Sequence, residues 1–201
     1  MSEFKRWEGR FAADHYVFGT EPNAFLEREA HRIAPGSEVL SLADGEGRNG
    51  VWLTGQGHRV TAQDFSPTAQ AKAARLAGER GVTLAFERSD LATRAWEADR
   101  WDAVVGIFFQ FLGPDDRARV FDGIRRTLRP GGVLLIEGYG PRQLDYATGG
   151  PKRLENLYTE DMLRAAFDGF AELDVTAYDA EVSEGPGHSG MSALVVLVGR
   201  R

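Results

Sequence analysis

An α/β fold built on a mostly parallel sheet follows from three observations in these 201 residues. Val39-Leu40-Ser41-Leu42-Ala43 is a short apolar run of the kind that fills a strand buried on both faces. It leads into Asp44-Gly45-Glu46-Gly47-Arg48-Asn49-Gly50, a glycine-rich loop whose amides can approach a ligand closely and start a helix. A second β-run, Arg59 to Gln63, ends on Asp64, nineteen residues after Gly45. In nucleotide-binding βαβ units a carboxylate at that place meets ribose hydroxyls.

The remaining elements continue the pattern. Residues 1–36 precede the first core strand and carry Phe4, Trp7, Phe11, Tyr16 and Phe18, an aromatic cover segment. Thr20 or Glu21 before Pro22 predicts a helix through Phe25, Leu26, Ala30 and Ile33 to Pro35-Gly36. Ser66-Pro67 reads as a cap and first turn, opening an alanine-rich helix that stops at Arg80-Gly81. Val82–Glu87 predicts a third strand. The run from Trp101 to Phe109 predicts a central fourth. A helix from Pro114 places Val120, Phe121, Ile124 and Leu128 on one face. After the turn Arg129-Pro130-Gly131-Gly132 comes a fifth strand, Val133–Glu137. Residues 138–158 lack periodicity and read as a long binding loop or lid. A helix capped by Thr159 runs to Phe167. Two long β-runs, Phe170–Val182 and Met191–Val198, close the chain. The segment between them is too short for a crossover helix, so the pair is expected to be an antiparallel hairpin.

Composition narrows the function. A hydrophobic fraction of 42% and a charged fraction of 27% suit one soluble domain spanning 1–201, with 37–201 as its core. The net charge of −6 disfavours a broad nucleic-acid face. The absence of cysteine removes disulfides, thiolate metal sites and cysteine nucleophiles. His15, His31 and His58 have no ligand spacing with carboxylates, so no metal is expected. The opening MSEFKRWEGRF has no apolar core of a secretion signal, and no run reaches bilayer-spanning length. A cytoplasmic protein, monomer or homodimer, is expected, with a small molecule as its partner and no nucleic acid or membrane.

Gly45-x-Gly47-x-x-Gly50 with Asp64 also satisfies the dinucleotide fingerprint. Two hundred residues leave little room for the second half that a dinucleotide enzyme needs, and the hairpin replaces continued parallel winding. The glycine loop, Asp64, Ser89-Asp90-Leu91 and Leu128-Arg129-Pro130-Gly131-Gly132 together resemble the class I S-adenosylmethionine-dependent methyltransferases along nearly the whole chain. The fold implied is a Rossmann-like, seven-stranded, mostly parallel sheet with a C-terminal antiparallel hairpin and helices on both faces. Within that class, Gly47-Arg48-Asn49, Tyr16-x-Phe18-Gly19-Thr20-Glu21-Pro22-Asn23 and Glu184-Gly185-x-x-His188-x-Gly190 are similar to the tellurite-resistance and thiopurine methyltransferase-like small-molecule group. The chain departs from the usual loop by placing Ser41 and Ala43 where an acid and the first glycine stand. Asp44, three residues after Ser41, is left as an open substitute for that acid.

The resemblance implies S-adenosylmethionine as cofactor and S-adenosylhomocysteine as product. Asp64 would accept the ribose hydroxyls and Asp90 the adenine amino group, each a carboxylate facing donors. Phe18, Gly19, Ala43, Asp44, Gly45, Gly47, Asn49, Phe65, Ser66, Leu91, Gly106 and Ile107 complete the expected cofactor set. The plain alternatives are a turn or cap for Asp64 and Asp90, and packing for Gly106 and Ile107. Substrate-side candidates lie on the irregular segments: Glu137, Tyr139 and Tyr146, then Glu184 and His188. An oxygen or nitrogen acceptor would need one of them as base, whereas a soft sulfur, selenium or tellurium nucleophile would not. Ile107-Phe108-Phe109-Gln110 stands where amino-methylating enzymes of DNA or glutamine carry Asn-Pro-Pro-Tyr or Asp-Pro-Pro-Tyr, which disfavours those substrates. The run Phe108-Phe109-Gln110-Phe111 reads either as an apolar pocket for a small acceptor or as core filling. Two rival readings remain: a non-catalytic S-adenosylmethionine sensor, and a small NAD(P)-dependent reductase. The reductase lacks a Tyr-x-x-x-Lys, since Tyr139 and Tyr146 are followed four residues on by Gln143 and Gly150.

Overall fold

A computed structural model describes residues 2–201. Seven strands form one sheet in the order β3-β2-β1-β4-β5-β7-β6. They are β1 (Glu38–Leu42), β2 (Arg59–Asp64), β3 (Ala85–Arg88), β4 (Trp101–Ile107), β5 (Leu128–Tyr139), β6 (Glu172–Ser183) and β7 (Ser189–Arg200). The first five pair in parallel, and β7 inserts antiparallel between β5 and β6. The helices are α1 (Glu3–Phe11), α2 (Ala24–Glu29), α3 (Arg48–Gly55), α4 (Pro67–Glu79), α5 (Pro114–Thr127), α6 (Gln143–Tyr146) and α7 (Glu160–Ala166). None among the described residues is long and apolar enough to cross a membrane.

The central strands β1, β4 and β5 are largely apolar because both faces of the sheet are covered there, whereas the edge strands β3 and β6 are mostly exposed. Alternate residues divide between two cores. Leu40, Leu42, Val104, Leu134 and Ile136 pack with Val120, Phe121 and Ile124 of α5 and Leu163 of α7. Val39, Val60, Ala103, Val105 and Leu135 pack with Phe25 and Leu26 of α2, Val51 and Leu53 of α3, and Leu76 of α4. The register sets Ser41 beside Val105 and Leu42 beside Gly106, so β1, β2 and β4 end together at one rim. Loops that bind ligands belong there, outside the carboxyl ends of the strands where the strand order reverses.

Several boundaries differ from the sequence expectations. The leader forms a helix, α1, capped by Ser2, whose side chain accepts from the Lys5 amide. Its aromatic residues Phe4, Trp7 and Phe11 fall at helical spacing on one stripe. The next helix starts later than Pro22 predicts, because Asn23 is the cap and accepts from the Leu26 amide at 2.9 Å. It ends at Glu29 and tightens into a 3-10 turn over Ala30–Arg32. Strand β3 begins at Ala85 rather than Val82, whose amide instead closes α4 by donating to the Ala77 carbonyl. The segment 138–158 is less free than its lack of periodicity suggests. The buried Gln143 side chain accepts from the Ala193 amide, and the Tyr158 amide donates to the Tyr139 carbonyl.

The connector from β3 to β4 has no helix, and Trp96 covers α5 in its place. A β-carbon on Gly123 would lie 2.4 Å from the indole. Replacing Gly123 by Ala gains about 1 kcal/mol of helix propensity and incurs about 1–3 kcal/mol of overpacking. The clash with a ring that cannot flex should win. Gly123→Ala should therefore melt a few degrees lower than the parent, read by thermal denaturation, with the indole fluorescence of the connector altered.

Candidate active site

The rim loop after β1 curls tightly. Ala43, Gly45 and Gly47 all have positive φ, at 47°, 60° and 91°. Left-handed backbone is easy for glycine and costs a residue such as Ala43 of order 1 kcal/mol. The turn hands its amides to carboxylates. Asp64, at the tip of β2, accepts from the Gly45 amide at 2.9 Å and the Ser66 amide at 2.8 Å. Asp44 Oδ1 accepts from the Ser41 hydroxyl at 2.5 Å and the Gly50 amide at 2.9 Å, while its Oδ2 is buried with no partner. Burial pushes both carboxyls up to about 6 against those hydrogen bonds. Gly50, the third glycine of the fingerprint, is there for Asp44, since a β-carbon would come within 2.6 Å of Asp44 Oδ2.

A cavity lies over this rim, lined by Phe18, Gly19, Ala43, Asp44, Gly45, Asn49, Asp64, Phe65, Ile107 and His188 among the expected residues. Its free space is only about 70 Å³, below the roughly 300–1,000 Å³ of ordinary ligand pockets. Two rings of α1, Trp7 and Phe11, account for the shortage. Phe11 sits against Gly45, its ring 3.4 Å from where a β-carbon there would stand. Glu8 fastens α1 to the start of α4 by accepting from the Ser66 and Thr68 hydroxyls.

The other expected residues fall outside the cavity, each with a physical reason. Gly47 makes room for Ala73 of α4 and Gly106 for the ring of Phe109. Ser66 caps α4 by accepting from the Ala69 amide, and Leu91 is core. Asp90 accepts from the Ala92 amide in a turn and opens onto neighbouring grooves. Tyr146 is held on the surface by Arg142, which also pairs with Asp179.

Beside the cavity the leader, the rim and the C-terminal hairpin meet in a buried polar cluster. The Asn23 side-chain amide donates to Glu137 Oε2 at 2.5 Å and to Glu184 Oε1 at 3.0 Å. Glu184 pairs with Arg48 at 2.7 Å and accepts from the Ala24 amide. Burial alone would raise Glu184, but His188, Arg48 and that amide hold it down at about 2. Glu137 has no such partner, and burial pushes it up to about 7. His188 lies between the rings of Phe18 and Phe108, with centroids at 4.5 and 4.3 Å, and its Nδ1 is 4.0 Å from Glu184. Burial lowers its pKa and favours the neutral imidazole. Phe108 reaches it from a left-handed backbone, φ 55°, a strained setting for an aromatic residue. Tyr139 packs on Phe108 at 4.6 Å, its hydroxyl pKa raised by burial and then by Glu137.

Residues 39–132 match the model of a methyltransferase domain family. A solved protein that converts a disulfide bond into a thioacetal group during echinomycin biosynthesis superposes with a TM-score of 0.76. The match covers 99% of this chain and 91% of that one at 21% identity. The chain has the class I methyltransferase fold. The N-methyltransferase NodS from Bradyrhizobium japonicum, solved with S-adenosyl-L-homocysteine, shares this fold at a TM-score of 0.71 and 15% identity, over 98% of this chain and 97% of that one. In sequence, the methyltransferase-fold chain is 30% identical over 131 residues to a ubiquinone/menaquinone biosynthesis C-methyltransferase of Bdellovibrio bacteriovorus, 64% of this chain and 53% of that protein. It spans between about a third and just over half of the length of the curated relatives it matches.

Reading the sequence passed over Trp7, Phe11, Glu46 and Arg48 as site residues. Glu46 is buried between Lys72, at 2.8 Å, and the Val17 amide, and lines the cavity. The helical spacing of Trp7 and Phe11 was the available signal; nothing local marked Glu46. The Glu137 proton offers a direct test of the cluster. Its folded pKa of about 7 stands above an ordinary 4.5, so between those values the native chain holds a proton that the unfolded chain has released. Stability from this group therefore falls as pH rises through that window. At 1.36 kcal/mol per unit the penalty amounts to roughly 3 kcal/mol above pH ~7. Glu137→Gln should melt higher than the parent at alkaline pH and lose that advantage near pH ~4. A difference independent of pH would show that Glu137 is ordinary.

Proposed function

We propose that the chain is an S-adenosylmethionine-dependent methyltransferase of a small-molecule acceptor, with a soft sulfur, selenium or tellurium nucleophile favoured. The observation that carries this reading is the pair of buried carboxylates at the rim. Neither Asp44 nor Asp64 has a cation within ion-pair distance among the described residues. Asp44 Oδ2, with no partner of its own, suits the ammonium group of the methionine moiety. Asp64 keeps acceptor capacity for two hydroxyls beyond the amides it already takes. Phe65 and Phe111, stacked at 5.5 Å, offer a flat apolar surface for the base. The cofactor supplies a methyl group already activated on sulfonium, so the chain has chiefly to align the acceptor and keep water out.

The acceptor side favours a nucleophile that needs little help. Three rings and a neutral His188 line the approach, with burial opposing both imidazole protonation and Tyr139 ionisation. Glu184 is fixed by Arg48 and Asn23, which suits it to position His188 rather than to take a proton. That a structural relative acts at sulfur agrees with this choice. So do the leader and hairpin motifs similar to the tellurite-resistance and thiopurine methyltransferase-like group. Entry of a nucleoside then requires α1 to shift, because Trp7 and Phe11 take up the space.

Calorimetry should show S-adenosylhomocysteine binding and NAD failing to bind. Asp64→Asn should weaken S-adenosylhomocysteine by about tenfold or more, the size of a charge-assisted hydrogen bond. Amide exchange over residues 3–11 should change on adding S-adenosylhomocysteine; identical exchange would rule against movement of α1. In a methyl-release assay, thiols and selenols should outrun phenols and amines. Binding of the nucleoside with transfer to no acceptor would instead identify a sensor.

A further inference from the structure

The crevice continues past the cofactor cavity. Trp7, Phe65, Phe108, Phe111 and His188 line both that cavity and a wider groove between α1 and residues 149–153. The groove holds about 780 Å³, within the range of sites for drug-sized molecules. Rings make one side of it: Phe108, Phe111 and Tyr139. Cations approach from elsewhere, Arg10 on α1 and Lys152 with Arg153 on the loop after α6.

These cations are poorly matched within the chain. Among the described residues Arg10 and Lys152 form no ion pair, and Arg153 reaches only Glu155, at 3.9 Å. The acids bordering the same groove are engaged: Glu3 with Arg6, Asp116 with Arg119, and Asp90 with the Ala92 amide. Arg10 is also placed with some care. Its guanidinium lies 4.7 Å over the ring of Phe18, whose other neighbour is His188. Partial burial of its head group, then Arg6, lowers its pKa, with Tyr139 and Glu46 opposing the shift.

We propose that this groove receives the methyl acceptor, and that Arg10, aided by Lys152 and Arg153, selects an acceptor carrying a carboxylate on a flat, apolar body. An inorganic oxyanion would satisfy the cations but leave the rings and most of the volume to water. A neutral aromatic thiol would fill the rings and leave the guanidinium unmatched. A forked guanidinium opposite a carboxylate gives direction as well as attraction. That places the far end of the acceptor and leaves its nucleophile toward His188. Assigning the groove to the acceptor rests on the methyltransferase reading, whereas its preference for an anion does not.

The test compares 4-mercaptobenzoate with 4-mercaptobenzamide, which share ring and thiol and differ in charge. Binding is measured by calorimetry with and without S-adenosylhomocysteine, and methyl transfer is measured separately with S-adenosylmethionine. The carboxylate should bind roughly tenfold more tightly, and raised ionic strength should narrow that ratio. Arg10→Gln should bring the ratio toward one, and Arg10→Lys should restore much of it. Should Arg10→Gln fail to fold, the surface pair Lys152→Gln and Arg153→Gln carries the same comparison. Equal affinities in the parent protein, or a ratio unmoved by these substitutions, would overturn the proposal. Carboxylate-selective binding without any methyl transfer would uphold the anion site and defeat the methyltransferase reading. Transfer to both thiols at equal affinity would do the reverse.

Discussion

The arrangement depends on one side-chain amide shared by two buried carboxylates. Asn23 donates to Glu137 and Glu184 together, while its backbone amide donates to Asn49 at the start of α3. Arg48 is the one arginine or lysine within ion-pair distance of either acid among the described residues, and it takes Glu184, with His188 at 4.0 Å beside it. The two carboxyls consequently diverge, one ionised far below neutrality and the other titrating near pH 7. A buried acid without a cation is tolerated because it can keep its proton. The same contacts bring the leader, β5 and the hairpin to one point, and that point is the wall of the crevice.

The opposite wall obeys the same electrostatics with a different outcome. Asp44 and Asp64 sit at the tips of adjacent strands, each satisfied by backbone amides and neither neutralised. Bringing their negative charges into a partly closed cavity has a free-energy cost that a cationic ligand would relieve. Ser41 and Ala43, which depart from the usual loop of this fold, contribute to that wall. Ser41 directs its hydroxyl to Asp44, and Ala43 accepts a left-handed backbone that the turn imposes. Ser41 is thus coupled to Asp44, and Gly50 leaves the space that its carboxylate occupies.

What could be read from residues alone was whatever depends on short stretches of chain. The β1–loop–β2 unit, Asp64 at its tip, the central β4 and the final hairpin all declare themselves by local pattern. The fingerprint glycines were legible as glycines but not in their purpose, because two of the neighbours they make room for, Phe11 beside Gly45 and Ala73 beside Gly47, lie on other segments. Asp90 shows the converse: its type and place fit adenine recognition, yet its carboxylate closes a local turn. The Asn23–Glu137–Glu184 cluster joins residues up to 161 positions apart, and no local periodicity reports such a contact.

That separation bears on how the molecule is made. The hairpin tip meets the leader again through the Gly187 amide and the Val17 carbonyl, so this part of the leader closes only once the hairpin has formed, although Glu8 and Asn23 find partners on α4 and α3 without it. Loop-closure entropy makes such distant pairings slow to form, and nascent chains emerge at about 5–20 residues per second. The β1–β2 unit and α4 can assemble while the ribosome is still working. The side of the crevice shared by Phe18 and His188 is completed only when β6 and β7 have paired, whereas Phe11 can reach Gly45 as soon as the β1–β2 unit has folded.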